Sequence, residues 1–217
     1  INVWGYFLEI GTDEDTLPPF LVGNIPARKR FRLMELMQPS ESLRTYNFQA
    51  AGAKDWFAPF VTKTDRPVRA LAENVVALIL LPRLSKADEQ LYMRSGGAAP
   101  ILAPQYSYDT TNDNVSDRIL NPRNQLPPVV QVAMVAIDEP SARKLEDKFG
   151  SDPYLGIDYS RLFRDPNVLD DDLGTLEPND GDLSKLEAIL TARKASYRIF
   201  STNVSIRGSK WSRSQAK

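Results

Sequence analysis

The alternation of apolar and polar positions marks five candidate strands and two candidate helices. Residues 2–10 (NVWGYFLEI) are rich in aromatic and β-branched side chains. A period of two puts Trp4, Tyr6, Leu8 and Ile10 on one face and Val3, Gly5, Phe7 and Glu9 on the other. Residues 29–37 (KRFRLMELM) gather Phe31, Leu33, Glu35 and Met37 on one face, with Arg32, Met34 and Leu36 on the other. Leu, Met, Glu and Arg are also good helix formers. The bracketing Pro26 and Pro39, and the ease of pairing with the first segment, favour a strand. Residues 69–84 carry the apolar run VVALILL at 75–81, which fits one strand buried on both faces or a buried helix, closed by Pro82. Residues 129–137 (VVQVAMVAI) are the clearest strand, with Val132 and Met134 as expected core positions. Residues 197–206 (YRIFSTNVSI) form the last strand, where Phe200, Val204 and Ile206 share a face with Arg198 and Thr202.

Residues 139–149 (EPSARKLEDKF) form the first predicted helix: Asp138 can cap it, Pro140 stands where a missing N–H costs little, and Gly150 stops it. Residues 183–195 (LSKLEAILTARKA) form the second, with Asp182 as N-cap and an apolar stripe at Leu186, Ile189 and Leu190. Two long segments, 85–128 and 151–182, are rich in Gly, Pro, Asn, Asp and Ser and read as surface excursions. The aromatics Trp56, Phe57 and Phe60 in DWFAPFV are expected to pin a further loop to the core. The expectation is an α+β fold: a mostly antiparallel sheet with two short helices, in a single globular head over residues 1–217.

Composition narrows the chemistry. The chain has 217 residues, 42% hydrophobic and 25% charged, with a formal net charge of −1, which gives no general case for binding nucleic acid. It has no Cys and no His. Disulfides, thiolate nucleophiles, Ser-His-Asp or Cys-His catalysis, zinc held by Cys or His, and haem held by either are therefore excluded within it. The longest apolar run is seven residues, against roughly 20 for a membrane-spanning helix. The chain opens on Ile1 directly in a strand pattern, which predicts further residues upstream. Charge is uneven: residues 138–182 hold 5 basic and 13 acidic residues, and residues 183–217 hold 8 basic and 1 acidic. That asymmetry could steer head-to-tail packing of copies, but an acidic loop beside a basic strand end accounts for it more simply.

Each candidate constellation has a plain counterpart. Asp170, Asp171 and Asp172, with Asn179, Asp180 and Asp182, offer oxygen ligands of the kind calcium takes, yet their spacing matches no EF-hand loop, and a solvated acidic loop explains them. Asn112, Asp113, Asn114 and Asp117 are ordinary turn formers. With 28 acidic residues, a pair suited to a glycosidase arises by chance. No G-x-S-x-G elbow, Walker loop or G-x-G-x-x-G is present, and RGSKWS at 207–212 lacks the preceding glycine of a phosphate loop. Trp211 with Arg207, Lys210 and Arg213 is too small a stacking platform for single-stranded nucleic acid. The Asn-Val-Ser triplets at Asn114 and Asn203 fit the glycosylation sequon and carry no function here. No catalytic, cofactor-binding or metal-binding residue is nominated, and no cofactor.

Five phrases occur in order: RFRLMELMQPSESL, RPVRALAENVVALILLPRLS, ILAPQYSYD, LNPRNQLPPVVQVAMVAIDEPSA and YRIFSTNVSIRGSKWS. Together they resemble the Verru_Chthon cassette protein C family of pilin-like envelope proteins, a resemblance that spans Tyr6 to Ser212. The layout is also similar to the minor pseudopilin J of type II secretion, with an early strand pair, an LPPVV-like lead into a strand, and a final strand. The resemblance implies a basic leader with a prepilin-type processing site, then a long apolar helix that anchors the precursor in the inner membrane. The chain would then be a periplasmic head in the cell envelope. Its implied partners are other pilin-like subunits of the same cassette or filament, and the inner membrane through that helix. It would be a non-enzymatic structural or assembly subunit of a pilus or pseudopilus. The two excursions are long for a minor pseudopilin. The alternatives are an envelope module binding polysaccharide, for which a grooved cluster such as Trp56, Phe57 and Tyr106 would speak, and a hydrolase with two facing carboxylates in a deep pocket.

Overall fold

The computed structural model describes residues 3–14, 17–38, 41, 67–97, 100–111, 120–170 and 180–209. The elements run β1 (Val3–Thr12), β2 (Lys29–Gln38), β3 (Val68–Glu73), β4 (Val75–Arg83), α1 (Lys86–Arg94), β5 (Val129–Ile137), α2 (Glu139–Phe149), α3 (Asp182–Ala192) and β6 (Tyr197–Ser205). Short 3-10 turns lie at Pro104–Tyr106 and Pro166–Val168. The strands form two three-stranded sheets, β1-β2-β3 and β4-β5-β6. The fold is α+β, and both sheets are antiparallel. It differs from the expectation in having two sheets rather than one, and three helices rather than two among the described residues.

The chain clusters into two compact units: Ile1–Ala77 with Ala136–Leu155, and Leu78–Val135 with Gly156–Lys217. In the first, β1 and β2 pair antiparallel, Trp4 opposite Met37, Tyr6 opposite Glu35 and Ile10 opposite Phe31. Directly opposed residues share a face, so the two faces read from alternation are those the register joins. The segment at 29–38 is a strand and not the competing helix. β3 pairs antiparallel with β2, with an irregularity between Leu33 and Met34 that leaves Leu71 as an extra residue.

The predicted strand at 69–84 is broken at Asn74, and its halves enter different sheets. Asn74 has φ 61°, a left-handed conformation that Asn tolerates better than most residues. Three hydrogen bonds fix the break: its N–H donates to the Phe31 carbonyl at 2.6 Å, its carbonyl accepts from Ile137 N–H at 2.9 Å, and its Nδ2 donates to Glu139 Oε2 at 3.0 Å. An apolar run cannot announce a bend made by backbone partners so distant in sequence.

In the second sheet β5 is central. Ile137 N–H bonds near the start of β4, and the Ile206 N–H donates to the Pro128 carbonyl at the opposite end of β5, which makes both neighbours antiparallel. Gln131, Ala133, Val135 and Ile137 are the buried set of β5, whereas Val132 and Met134 are half-buried, so the deeper face is the reverse of the one expected. β6 is an edge strand exposed over most of its length, with Phe200 and Val204 in contact with solvent.

The excursion at 85–128 contains the unpredicted α1, capped by Ser85, whose hydroxyl accepts from Asp88 N–H at 3.2 Å. α2 begins as expected: Asp138 accepts from Ser141 N–H at 2.9 Å. α3 does not use Asp182 as its cap. Gly181 is the N-cap, Asp182 is the first helical residue, and the helix ends at Ala192 rather than 195.

Candidate functional site

In the first unit, buried charge gathers where β2 meets α2. Arg30 lies on the same face of β2 as Arg32 and Met34, and its side chain is 3% exposed. Its guanidinium donates to Glu139 and to Glu146, both at 2.8 Å, two carboxylates at either end of the inner stripe of α2. Glu146 also accepts from the Lys29 backbone N–H, and Glu139 from Asn74 and Arg143. Burial acts to lower the basicity of Arg30; the hydrogen bonds and charges of the two glutamates outweigh it and hold the guanidinium above its ordinary range. For Glu139 burial would raise the carboxyl, and the hydrogen bonds from Arg30, Asn74 and Arg143 reverse that and bring it down to about 2. Glu139 is therefore held ionised near neutrality, bound to three partners. The cluster clamps a helix to a sheet.

Beside it, Arg32 donates to the Thr12 carbonyl at 2.7 Å and to Glu9 at 3.4 Å. Gly11 makes room for this: a Cβ there would stand 2.9 Å from a terminal nitrogen of Arg32.

The other end of the same sheet is open. Trp4, Glu35, Met37, Pro67, Val68 and Arg69 line a groove of about 280 Å³. Trp4 is 48% exposed and Met37 41%. The Glu35 side chain is 7% exposed at the floor, ion-paired with Arg69 Nε from the opposite register position of β3, and the Arg69 side chain is 70% exposed. Tyr6 lies next along β1, exposed and opposite Glu35.

In the second unit, Asp182 is 1% exposed. One oxygen accepts from Phe163 N–H at 2.6 Å, and Lys185 lies 3.7 Å from the other. Burial pushes the Asp182 carboxyl up, opposed by Phe163 and Lys185 and reinforced by Asp165. Tyr106 shares this neighbourhood; burial first, then the charges of Asp182 and Asp165, push its phenol up. Phe163, Gln105 and Tyr106 all have positive φ. The corner ties irregular segments to the start of α3. A separate cleft lined by Leu81, Arg83, Glu89, Ile101 and Asn167 holds only about 40 Å³, room for water.

Of the residues singled out from sequence, Asp180 is exposed and ion-paired to Lys185, and Asp170 stands apart as a half-buried residue after the Pro166–Val168 turn. Asp171, Asp172 and Asn179 lie outside the described residues, as do Trp56, Phe57, Phe60, Asn112, Asp113, Asn114, Asp117, Lys210, Trp211 and Arg213. Among the described residues no group of three or more acidic side chains is placed to hold a metal ion. Tyr106 is half-buried, its hydroxyl 3.5 Å from the Asp165 carbonyl. Asn203 is exposed on β6. Among the described residues no helix is long and apolar enough to cross a membrane.

Sequence reasoning missed the groove. Trp4 and Tyr6 share a face of β1 and Glu35 and Met37 a face of β2, and the β1–β2 register joins them into one; a lone carboxylate in that apolar set is the available signal. The Glu35–Arg69 pairing depends on the β2–β3 register, which no local pattern reports. No family model, no curated protein and no solved structure matches this chain.

Proposed function

We propose that this chain is the head of a pilin-like envelope subunit, a non-enzymatic structural or assembly component of a pilus or of a type II secretion-like pseudopilus. The observation that carries the reading is the ordered set of five phrases between Tyr6 and Ser212 resembling the Verru_Chthon cassette protein C family. Two features of the fold are compatible with it: an early antiparallel strand pair, β1 with β2, and a Leu-Pro-Pro-Val-Val lead into the central strand β5, edged by the last strand β6. The ionised side chains at the helix–sheet junction are committed to structure, since Arg30, Glu139 and Glu146 bind one another.

Residues 1–217 hold no cysteine, so a thiol engineered among them is unique within this stretch. Single cysteines at exposed positions such as Phe20, Met93 or Phe200 in the full-length gene product should give cross-linked dimers, and two such cysteines in one chain longer ladders, between envelope subunits in cells expressing the cassette. Cross-links absent at every exposed position, in cells where the protein is abundant, would contradict an assembly role.

A further inference from the structure

We propose that the groove beside Trp4 on the β1-β2-β3 sheet is a saccharide subsite that takes one pyranose ring. It concerns the surface of the first unit and does not rest on the pilin reading. The chemistry comes from three side chains. The Trp4 indole is half-exposed on a strand, held by its pairing opposite Met37, and offers a flat apolar face. Glu35 on the floor is an acceptor, and Arg69 on the rim is only a donor. Arg69 spends its Nε on Glu35, and among the described residues no acceptor is bonded to its terminal nitrogens.

A ligand must therefore present an apolar face beside groups that donate to a carboxylate and accept from a guanidinium. A sugar hydroxyl does both, and a pyranose carries such hydroxyls around a flat C–H face. An anion would meet the carboxylate of Glu35, a cation the guanidinium of Arg69, and an apolar segment would cover the ion pair without satisfying it. The volume, about 280 Å³, is at the lower end of small-ligand sites and suits one ring.

The test is a titration of the whole 217-residue chain followed by the Trp4 indole N–H resonance and by the backbone amide resonances of Glu35 and Val68, which line the groove and remain in every variant. The chain has three tryptophans, so the resonance is assigned by its loss in Trp4→Phe. Methyl glycosides of glucose, mannose, galactose and N-acetylglucosamine are the probes, each taken to about 10 mM, well above the roughly 1 mM Kd expected of an open one-ring site. The expected result is a saturable shift with at least one glycoside, abolished for the whole chain in Trp4→Ala and weakened about fivefold in Arg69→Gln. Trp4 is half-exposed and Arg69 largely exposed, and a glutamine at 69 keeps a donor for Glu35, so both variants should fold. No saturable shift with any of the four glycosides would overturn the proposal. So would a shift that survives in Trp4→Ala, and so would one that follows protein concentration instead of glycoside, which would give the face to a second copy.

Discussion

Arg30 and Asp182 show two opposite ways of burying charge. Arg30 is paired twice, and removing it leaves two carboxylates facing each other. Those carboxylates are 40% and 21% exposed, so water can recover part of the loss. Arg30→Met should cost about 2 kcal/mol, less than the roughly 3–5 kcal/mol of breaking a fully buried pair, as read by urea denaturation. The pH dependence follows from Glu139. Its native carboxyl lies at about 2 against 4.5 for the ordinary group, so its contribution is full above about pH 4.5 and is lost as pH falls toward 2. Glu139→Gln should flatten the acid limb of stability in that window and leave the slope near neutrality unchanged. Asp182 runs the other way: a raised carboxyl stabilises the native state below its ordinary value of 3.8 and loses that advantage as pH rises through the native value. Asp182→Asn keeps an acceptor for the Phe163 N–H and should be neutral or stabilising at pH 7. Asp182→Ala orphans that N–H and should cost about 1–3 kcal/mol. Thermal melts of the pair separate the two roles. None of this was legible in sequence, where Asp182 read as a helix cap and Arg30 as one charge among many, because the partners lie 19 and more than 100 residues away.

Individual elements were far more legible. β1, β2, β5, β6 and α2 follow from alternation, β-branched content and the Asp138–Pro140–Gly150 punctuation, within a residue or two. What failed was local pattern set against distant partners. Asn74 splits the predicted strand at 69–84 because Phe31, Ile137 and Glu139 hold its backbone and side chain. α1 hides in a polar excursion because its nine residues bury little beyond Tyr92, so no apolar stripe announces it. β5 was recognised with its inner face reversed, since both faces are apolar and only packing chooses between them. That choice yields a prediction. Val135→Asp, at a fully buried position, should cost several kcal/mol, about 4 or more, whereas Met134→Asp on the half-buried face should cost clearly less. Equal losses in denaturant melts would contradict the assigned face.

At the scale of the whole molecule, the acidic stretch at 138–182 and the basic end at 183–217 can attract opposite ends of two copies only through surface charges that salt screens. Contacts among copies of the chain alone should be weak and salt-sensitive, so the 217-residue chain should be monomeric by light scattering at micromolar concentration and physiological salt. A dimer persisting in about 1 M salt, where the Debye length is about 3 Å, would place an apolar interface on the chain itself. In the proposed role, assembly would fall to the apolar helix that the family resemblance implies, so the direct measurement is membrane fractionation of the full-length precursor, with and without a prepilin-type peptidase. The expected result is a precursor in the inner-membrane fraction that requires detergent and shortens when the peptidase is present. A precursor recovered soluble from the cytoplasm, unchanged in length, would contradict it.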